Sequence, residues 1–227
     1  MGALGAVPWD LAEARNEQRE VSARGSNRPS GPPRGGAAES EALRGWVARE
    51  GATRTVEVGL GYCVPALHAC EVLLENADPT AARHVAVEPH QAPRFSGCGL
   101  QSLEEAGVAG MVEHRAEESR IALPRFLEES RGFDLAFVDG DHRFDGVFVD
   151  LSYLGRLVRP GGVVFLDDYQ LPAVERVASF FLRNLDWELE EVSEWDDLHR
   201  WAVLRTSTAP DRRSFDFYVD IFRRGAR

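Results

Sequence analysis

Asp139, Asp141 and His142 stand together in the run Asp139-Gly140-Asp141-His142, and Asp167 and Asp168 are adjacent further along the chain. Each group closes a short apolar run, residues 135–138 (Leu-Ala-Phe-Val) and 163–166 (Val-Val-Phe-Leu). Carboxylates brought to one place repel unless they are protonated or neutralised by a cation. An imidazole among them titrates near enough to neutral pH to take a proton from a hydroxyl. Cation binding and proton abstraction are the chemistry to expect from these residues.

The flanking sequence says how they would be positioned. Apolar runs this short, β-branched or aromatic and bounded by Gly, read as strands buried on both faces. Between them Val147, Phe148, Leu151, Leu154 and Leu157 recur at helical spacing over residues 144–158. A strand–helix–strand unit makes the two strands parallel neighbours. Ligands of such sheets sit just beyond the carboxyl ends of the strands, where all five residues fall.

The rest of the chain extends this pattern. Residues 9–24 mix Trp9, Leu11 and Val21 with many charges and suggest a short helix, swapped onto a partner in a homodimer or laid over the site. Residues 25–38 are too rich in Pro and Gly for a regular element and read as a linker or as a lid over a small molecule. Ser40 is placed to cap a helix to about Glu50, with Leu43, Trp46 and Val47 facing inward. Strands are expected at 55–58, 84–87 and 111–114, and helices at 64–75, 100–106, 123–130 and 171–184. Two strands, 187–192 and 201–204, follow without a helix between them, and a last helix is expected at 215–222. The predicted fold is α/β: a doubly wound, mostly parallel seven-stranded sheet with an antiparallel edge strand. Residues 1–39 would form an arm and 40–227 one domain.

Composition bounds the function. The 227 residues are 44% hydrophobic and 28% charged, with a net charge of -11, which argues against a nucleic-acid partner and permits a cationic substrate. Acidic residues crowd 186–197, as a solvated hairpin face or a cation-binding surface. All 26 basic residues are Arg, so Schiff-base chemistry on Lys is excluded. Cys63, Cys70 and Cys98 form no paired motif and read as reduced thiols. No apolar run approaches the ~20 residues of a membrane span, and residues 1–8 lack the pattern of a secretory signal, so a cytoplasmic location is expected.

A second feature lies at the first strand. Gly59 and Gly61 stand where it turns into a helix, and Glu57 sits inside its end. Glu88 closes the next strand, where a carboxylate can accept both hydroxyls of a ribose. A dinucleotide asks for a third glycine beside its pyrophosphate; that position is Val64, followed by Pro65, so a nucleoside without phosphates fits better. On these residues, with Asp139 ending the fourth strand and Gly161-Gly162 before the fifth, residues 40–204 resemble the class I S-adenosylmethionine-dependent methyltransferases. The resemblance implies a Rossmann-like fold and S-adenosyl-L-methionine as methyl donor. It places Gly59 and Gly61 against the methionine part, Glu88 on the ribose, and Ala116, Glu118 and Ser119 beside the adenine. Glu57 and Asp139 complete the implied contacts.

The acidic cluster is similar to that of metal-dependent small-molecule O-methyltransferases, most to the macrocin and related antibiotic-sugar group and more distantly to catechol and caffeoyl-coenzyme A enzymes. That likeness implies Asp139, Asp167 and Asp168 as ligands of a divalent cation, with Mg²⁺ the natural choice for oxygen donors. Catalysis would rest on His142 as general base beside Asp139, deprotonating a cation-bound hydroxyl. The catechol-type enzymes carry Asn at the place of Asp168 and Lys near that of His142. The expected activity is methyl transfer to a hydroxyl of a small natural product, of sugar or polyketide type. Its rivals are a metal-independent N-methyltransferase acting on an amino sugar, a non-catalytic cofactor-binding regulator and a dehydrogenase. Capping by Asp141 and Asp145, with pairing to Arg143, competes with metal binding for the acids. Of the remaining residues, His68 reads as structural, His90 as a cofactor contact or surface group, and His114 and His199 show no partner. Tyr169 and Gln170 could line an acceptor pocket; Trp187, Trp195 and Trp201 read as packing, with a pocket wall open to Trp195.

Overall fold

A computed structural model describes residues 37–78, 80–194 and 199–221. The expectations for residues 9–24, for most of the Pro/Gly-rich stretch and for Trp195 lie outside them. Helices α1 (Ala37–Arg49), α2 (Val64–Asn76), α3 (Gln91–Phe95), α4 (Cys98–Glu105), α5 (Ser119–Glu128), α6 (Phe144–Leu157) and α7 (Pro172–Asn184) surround one sheet. Its strands are β1 (Arg54–Val58), β2 (Arg83–Val87), β3 (Val112–Arg115), β4 (Phe133–Val138), β5 (Val158–Leu166), β6 (Glu188–Val192) and β7 (Ala202–Arg205).

The seven strands run in the order β3-β2-β1-β4-β5-β7-β6. β3, β2, β1, β4 and β5 are mutually parallel, and β7 runs antiparallel to β5 and to β6. The antiparallel strand therefore lies one place in from the edge, with β6 outside it. Successive strand residues point to opposite faces. Val56, Val58, Val85, Val87, Ala136, Val138, Val164 and Leu166 pack toward α5, α6 and α7. Leu135, Phe137, Val163, Phe165 and Val203 pack toward α1 and α2. Both faces are covered, which is why β4 and β5 read as unbroken apolar runs. The strand order reverses between β1 and β4, and the crevice at their carboxyl ends is the switch point of the sheet.

Four local expectations change. α1 starts at Ala37, so Ser40 lies inside the helix, buried, and caps nothing. α5 starts at Ser119 and carries Pro124 in its interior; one backbone hydrogen bond is lost there, while Ala122, Leu123 and Phe126 bury a continuous face that holds the helix together. β5 begins directly after α6 and takes in Gly161 and Gly162, with an irregular register against Phe133 and Leu135 of β4. Residues 215–221 are not helical: the Asn184 side chain donates to Val219 O (3.1 Å) and accepts from Val219 N (2.7 Å). Arg176 and Arg183 bind the carbonyls of Ile221 and Asp220, so side chains of α7 take up backbone groups that a helix would have satisfied itself. A cleft of about 1370 Å³ between residues 207–217, α6 and α7 opens near the start of β5, away from the switch point. Among the described residues no helix is long and apolar enough to cross a membrane.

Candidate active site

The glycine turn after β1 is shaped by close approach. Gly59 has φ +93, and a Cβ there would stand 2.1 Å from the carbonyl oxygen of Asp139. The β1 and β4 ends can thus lie against each other only because residue 59 has no side chain. Gly61, at φ +50, is open: the nearest atom to a Cβ would be the Phe95 ring at 4.0 Å. Across from it, at the end of β2, the buried Glu88 carboxylate faces the turn. Its Oε1 accepts from His90 N (2.6 Å) and its Oε2 lies 3.4 Å from Gly61 N. Gln91, itself buried, donates to Gly61 O (2.6 Å) and fixes the turn from below.

Glu57 goes elsewhere. Its Oε2 meets His84 Nε2 at 2.9 Å, and His84 Nδ1 lies 2.8 Å from Thr55 Oγ1, which makes a buried relay under α2. Burial raises its pKa against the pull of His84. Ala116 and Glu118 are exposed, Glu118 is paired with Arg120, and Ser119 opens α5.

The ends of β4 and β5 bring together more groups than the sequence suggested. His142 Nε2 lies 3.3 Å from Asp139 Oδ1, and His142 Nδ1 lies 2.8 Å from Asp168 Oδ2. Asp168 has φ +50, a left-handed conformation that Asp tolerates better than most residues, and it turns the carboxylate back over the site. His199, just before β7, enters from the other side: its Nε2 is 2.9 Å from Asp167 Oδ1 and 3.3 Å from Glu39 Oε2, and its Nδ1 is 3.6 Å from Asp168 Oδ1. Gln170 donates to Asp168 Oδ1 (2.5 Å) and accepts from Arg200 N (2.7 Å). The Arg200 guanidinium lies over the Tyr169 ring at 6.0 Å.

Two imidazoles thus sit among four carboxylates. The carboxylates of Asp139 and then Asp168 beside its ring lift His142 to about 10, and those of Asp167, Asp168 and Glu39 lift His199 to about 12. The two imidazoles hold Asp168 far below the usual carboxylate range. Burial dominates at Glu39, which rises to about 8 despite His199. It also raises Asp139, where His142 opposes it and Asp167 adds to it; 39% of that side chain remains open, so water tempers the effect.

His199 had no visible partner in the sequence and has three here, and Glu39 was not singled out at all. His114 also gains a partner, the carbonyl of Glu88 at 2.8 Å. Asp141 pairs with Arg143 and caps nothing: it accepts from Arg143 N (3.1 Å), pairs with the Arg143 guanidinium and lies against Gly146 in the first turn of α6, whose N-cap Arg143 has no side-chain cap.

The donor set fits a divalent cation on an observation of its own. Glu39 Oε1, Asp167 Oδ1 and His199 Nε2 are buried and make no hydrogen bond. Atoms of these three residues lie within 4.8 Å of one another. The turn at Gly61 with the facing Glu88 carboxylate likewise fits a nucleoside, since open space and an acceptor pair lie side by side.

The parallel sheet with its switch-point glycine turn and acid-ended strands is the fold of the class I S-adenosylmethionine-dependent methyltransferases. A family model described as a methyltransferase domain matches residues 56–169, and the chain belongs to that family. Among solved structures it is similar to the O-methyltransferase TomG from Streptomyces achromogenes, involved in tomaymycin synthesis and solved with S-adenosylmethionine. The TM-score is 0.68 at 20% identity, over 88% of this chain and 92% of that one. It is also similar to an O-methyltransferase from Bacillus cereus in complex with S-adenosylhomocysteine, with TM-score 0.67 and 16% identity over 88% and 93% of the two chains. An uncharacterised protein of Acanthamoeba polyphaga mimivirus is 34% identical over 56 residues, which span 25% of that protein and 21% of this chain.

Proposed function

We propose that the protein transfers the methyl group of S-adenosylmethionine to a hydroxyl of a small natural product of sugar or polyketide type. The observation that carries this reading is His142 held between Asp139 and Asp168 at the mouth of the sheet, next to the glycine turn and Glu88. Gly59, Gly61, Glu88, Asp139 and the start of α5 (Ala116, Glu118, Ser119) would hold the methyl donor, whose sulfonium supplies a reactive methyl group. Glu88 would accept from the ribose hydroxyls in place of His90 N. Glu57, engaged with His84, supports the strand end from behind.

The acceptor hydroxyl must lose its proton as the methyl arrives. Asp168 on Nδ1 fixes the His142 ring and keeps a proton there, which leaves Nε2 as the nitrogen that takes the acceptor's proton. A divalent cation in the acidic mouth, for which Asp139, Asp167 and Asp168 are the ligands implied by sequence, would lower the pKa of the acceptor hydroxyl and of His142 together. Tyr169 and Gln170 line the approach and orient the acceptor. Alignment with the donor supplies much of the remaining acceleration.

Mass-spectrometric screening with S-adenosylmethionine, a divalent ion and sugar, catechol and polyketide hydroxyls tests the reading. A methylated hydroxyl product is expected, with His142→Ala lowering turnover by roughly 10²–10⁴-fold and leaving S-adenosylhomocysteine affinity unchanged in calorimetry. Methylation of amines alone, indifferent to chelator, would replace it with the amino-sugar reading.

A further inference from the structure

We infer that the cation seat of this mouth is the mixed nitrogen–oxygen triad Glu39, Asp167 and His199, and that it takes a first-row transition ion of the Mn²⁺, Fe²⁺ or Zn²⁺ kind. The inference rests on the reading that the mouth binds a divalent cation, and it changes which residues bind it. Two of the three aspartates implied by sequence, Asp139 and Asp168, are already engaged with His142. Both oxygens of Asp168 have partners, Oδ2 with His142 Nδ1 at 2.8 Å and Oδ1 with Gln170 Nε2 at 2.5 Å. Asp139 turns to His142 Nε2.

Glu39, Asp167 and His199 differ in having ligand atoms to spare. Glu39 and Asp167 are 2% and 5% exposed, and their Oε1 and Oδ1 have no hydrogen bond. His199 Nε2 is in ion-pair range of both carboxylates, 2.9 Å from Asp167 Oδ1 and 3.3 Å from Glu39 Oε2, but makes no hydrogen bond. Two desolvated acids that share one imidazole, with oxygens that make no hydrogen bond, are costly to bury, and a cation within reach of all three residues satisfies them together. The second nitrogen of His199 faces Asp168 at 3.6 Å, the arrangement in which a carboxylate orients a metal-bound imidazole. An imidazole ligand favours borderline ions over Mg²⁺ or Ca²⁺, which prefer oxygen throughout. Glu39 comes from α1 and His199 from the residues before β7, so the ion would fasten both to the end of β5.

Mn²⁺ titrated into the metal-stripped full chain, followed by electron paramagnetic resonance, tests this. One ion per chain is expected, with nitrogen coupling in the pulsed spectrum that survives in His142→Ala and disappears in His199→Ala. His199→Ala and Glu39→Gln should weaken Mn²⁺ by roughly 10–100-fold, Asp139→Asn by less than about threefold, and excess Mg²⁺ should not displace the ion. His199→Gln provides a second variant if the alanine form fails to fold. Failure to bind Mn²⁺, or binding without nitrogen coupling that is lost in Asp139→Asn, overturns the inference; the second result leaves the three-aspartate reading standing. Nitrogen-coupled binding with methyl transfer indifferent to chelator upholds the triad and removes the metal from the proposed reaction.

Discussion

His142 Nδ1 and Asp168 Oδ2 lie 2.8 Å apart across the gap between the end of β4 and the end of β5. The contact joins the two halves of the site and depends on the left-handed backbone of Asp168. With Asp139 on the other nitrogen, the imidazole of the metal-free protein stays protonated well above neutral pH, its pKa lifted to about 10. Nitrogen-15 NMR of the histidine side chains should show two rings that remain cationic at pH 8, His142 and His199. Asp168→Asn should bring the His142 midpoint down by at least about one unit, equivalent to about 1.4 kcal/mol of lost charge pairing. An unchanged midpoint would show that Asp168 does not control the ring.

Gly59 sets the distance between β1 and β4. A methyl group at that position would stand 2.1 Å from a backbone oxygen, at a φ of +93 that L residues avoid. Neither partner is a flexible side-chain end, so relief requires the strand ends to separate. Gly59→Ala should lose about 3 kcal/mol or more of stability and most of its S-adenosylhomocysteine affinity. Gly61→Ala, in open space, should cost less stability in the same urea titration. Equal losses would refute the close-approach account.

The β4–α6–β5 unit was legible because its two strands are buried on both faces and each run stops abruptly at carboxylates. His199 and Glu39 were not, because nothing local marks them. Leu166 of β5 pairs with Ala202 of antiparallel β7, so the residues just before 202 must lie beside Asp167 and Asp168. That register was the one signal that could have found His199, and it needs the strand order before it can be used. Reading Ser40 as a cap hides Glu39, because it starts the helix at residue 41, four residues after its observed start at Ala37. Glu57 was noticed as a buried acid, but its partner His84 lies on a strand 27 residues away, where alternation alone does not identify a pair.

Glu88 faces the glycine turn with two oxygens that at present accept from backbone amides. Exchange for the amide in Glu88→Gln keeps the size and removes the charge. Loss of charged hydrogen bonds to two ribose hydroxyls corresponds to about 1.5–3 kcal/mol, and calorimetry should show S-adenosylhomocysteine binding weakened by roughly 10–150-fold. An affinity within twofold of the parent would place the ribose elsewhere.

Asp150 gives the pH dependence of stability a separate source. It lies on α6 with no exposed surface, and among the described residues the Ser119 hydroxyl is the one group near enough to oppose the burial of its carboxylate. Burial pushes its pKa up to about 7; the Ser119 hydroxyl pulls it down and the charge of Asp141 adds to the rise. An unfolded Asp titrates near 4, so between about pH 4 and 7 the folded chain holds a proton that the unfolded chain has released. The contribution of this group is therefore full below pH 4, falls as pH rises, and levels off above 7. Asp150→Asn carries no such charge. Its stability relative to the parent should rise from no advantage at pH 4 to about 2–4 kcal/mol at pH 8, read from urea unfolding at each pH. Taking the difference between the two proteins cancels the other titrating groups they share. Parallel profiles across that range would mean that Asp150 stays charged in the fold, with a partner that satisfies both its oxygens.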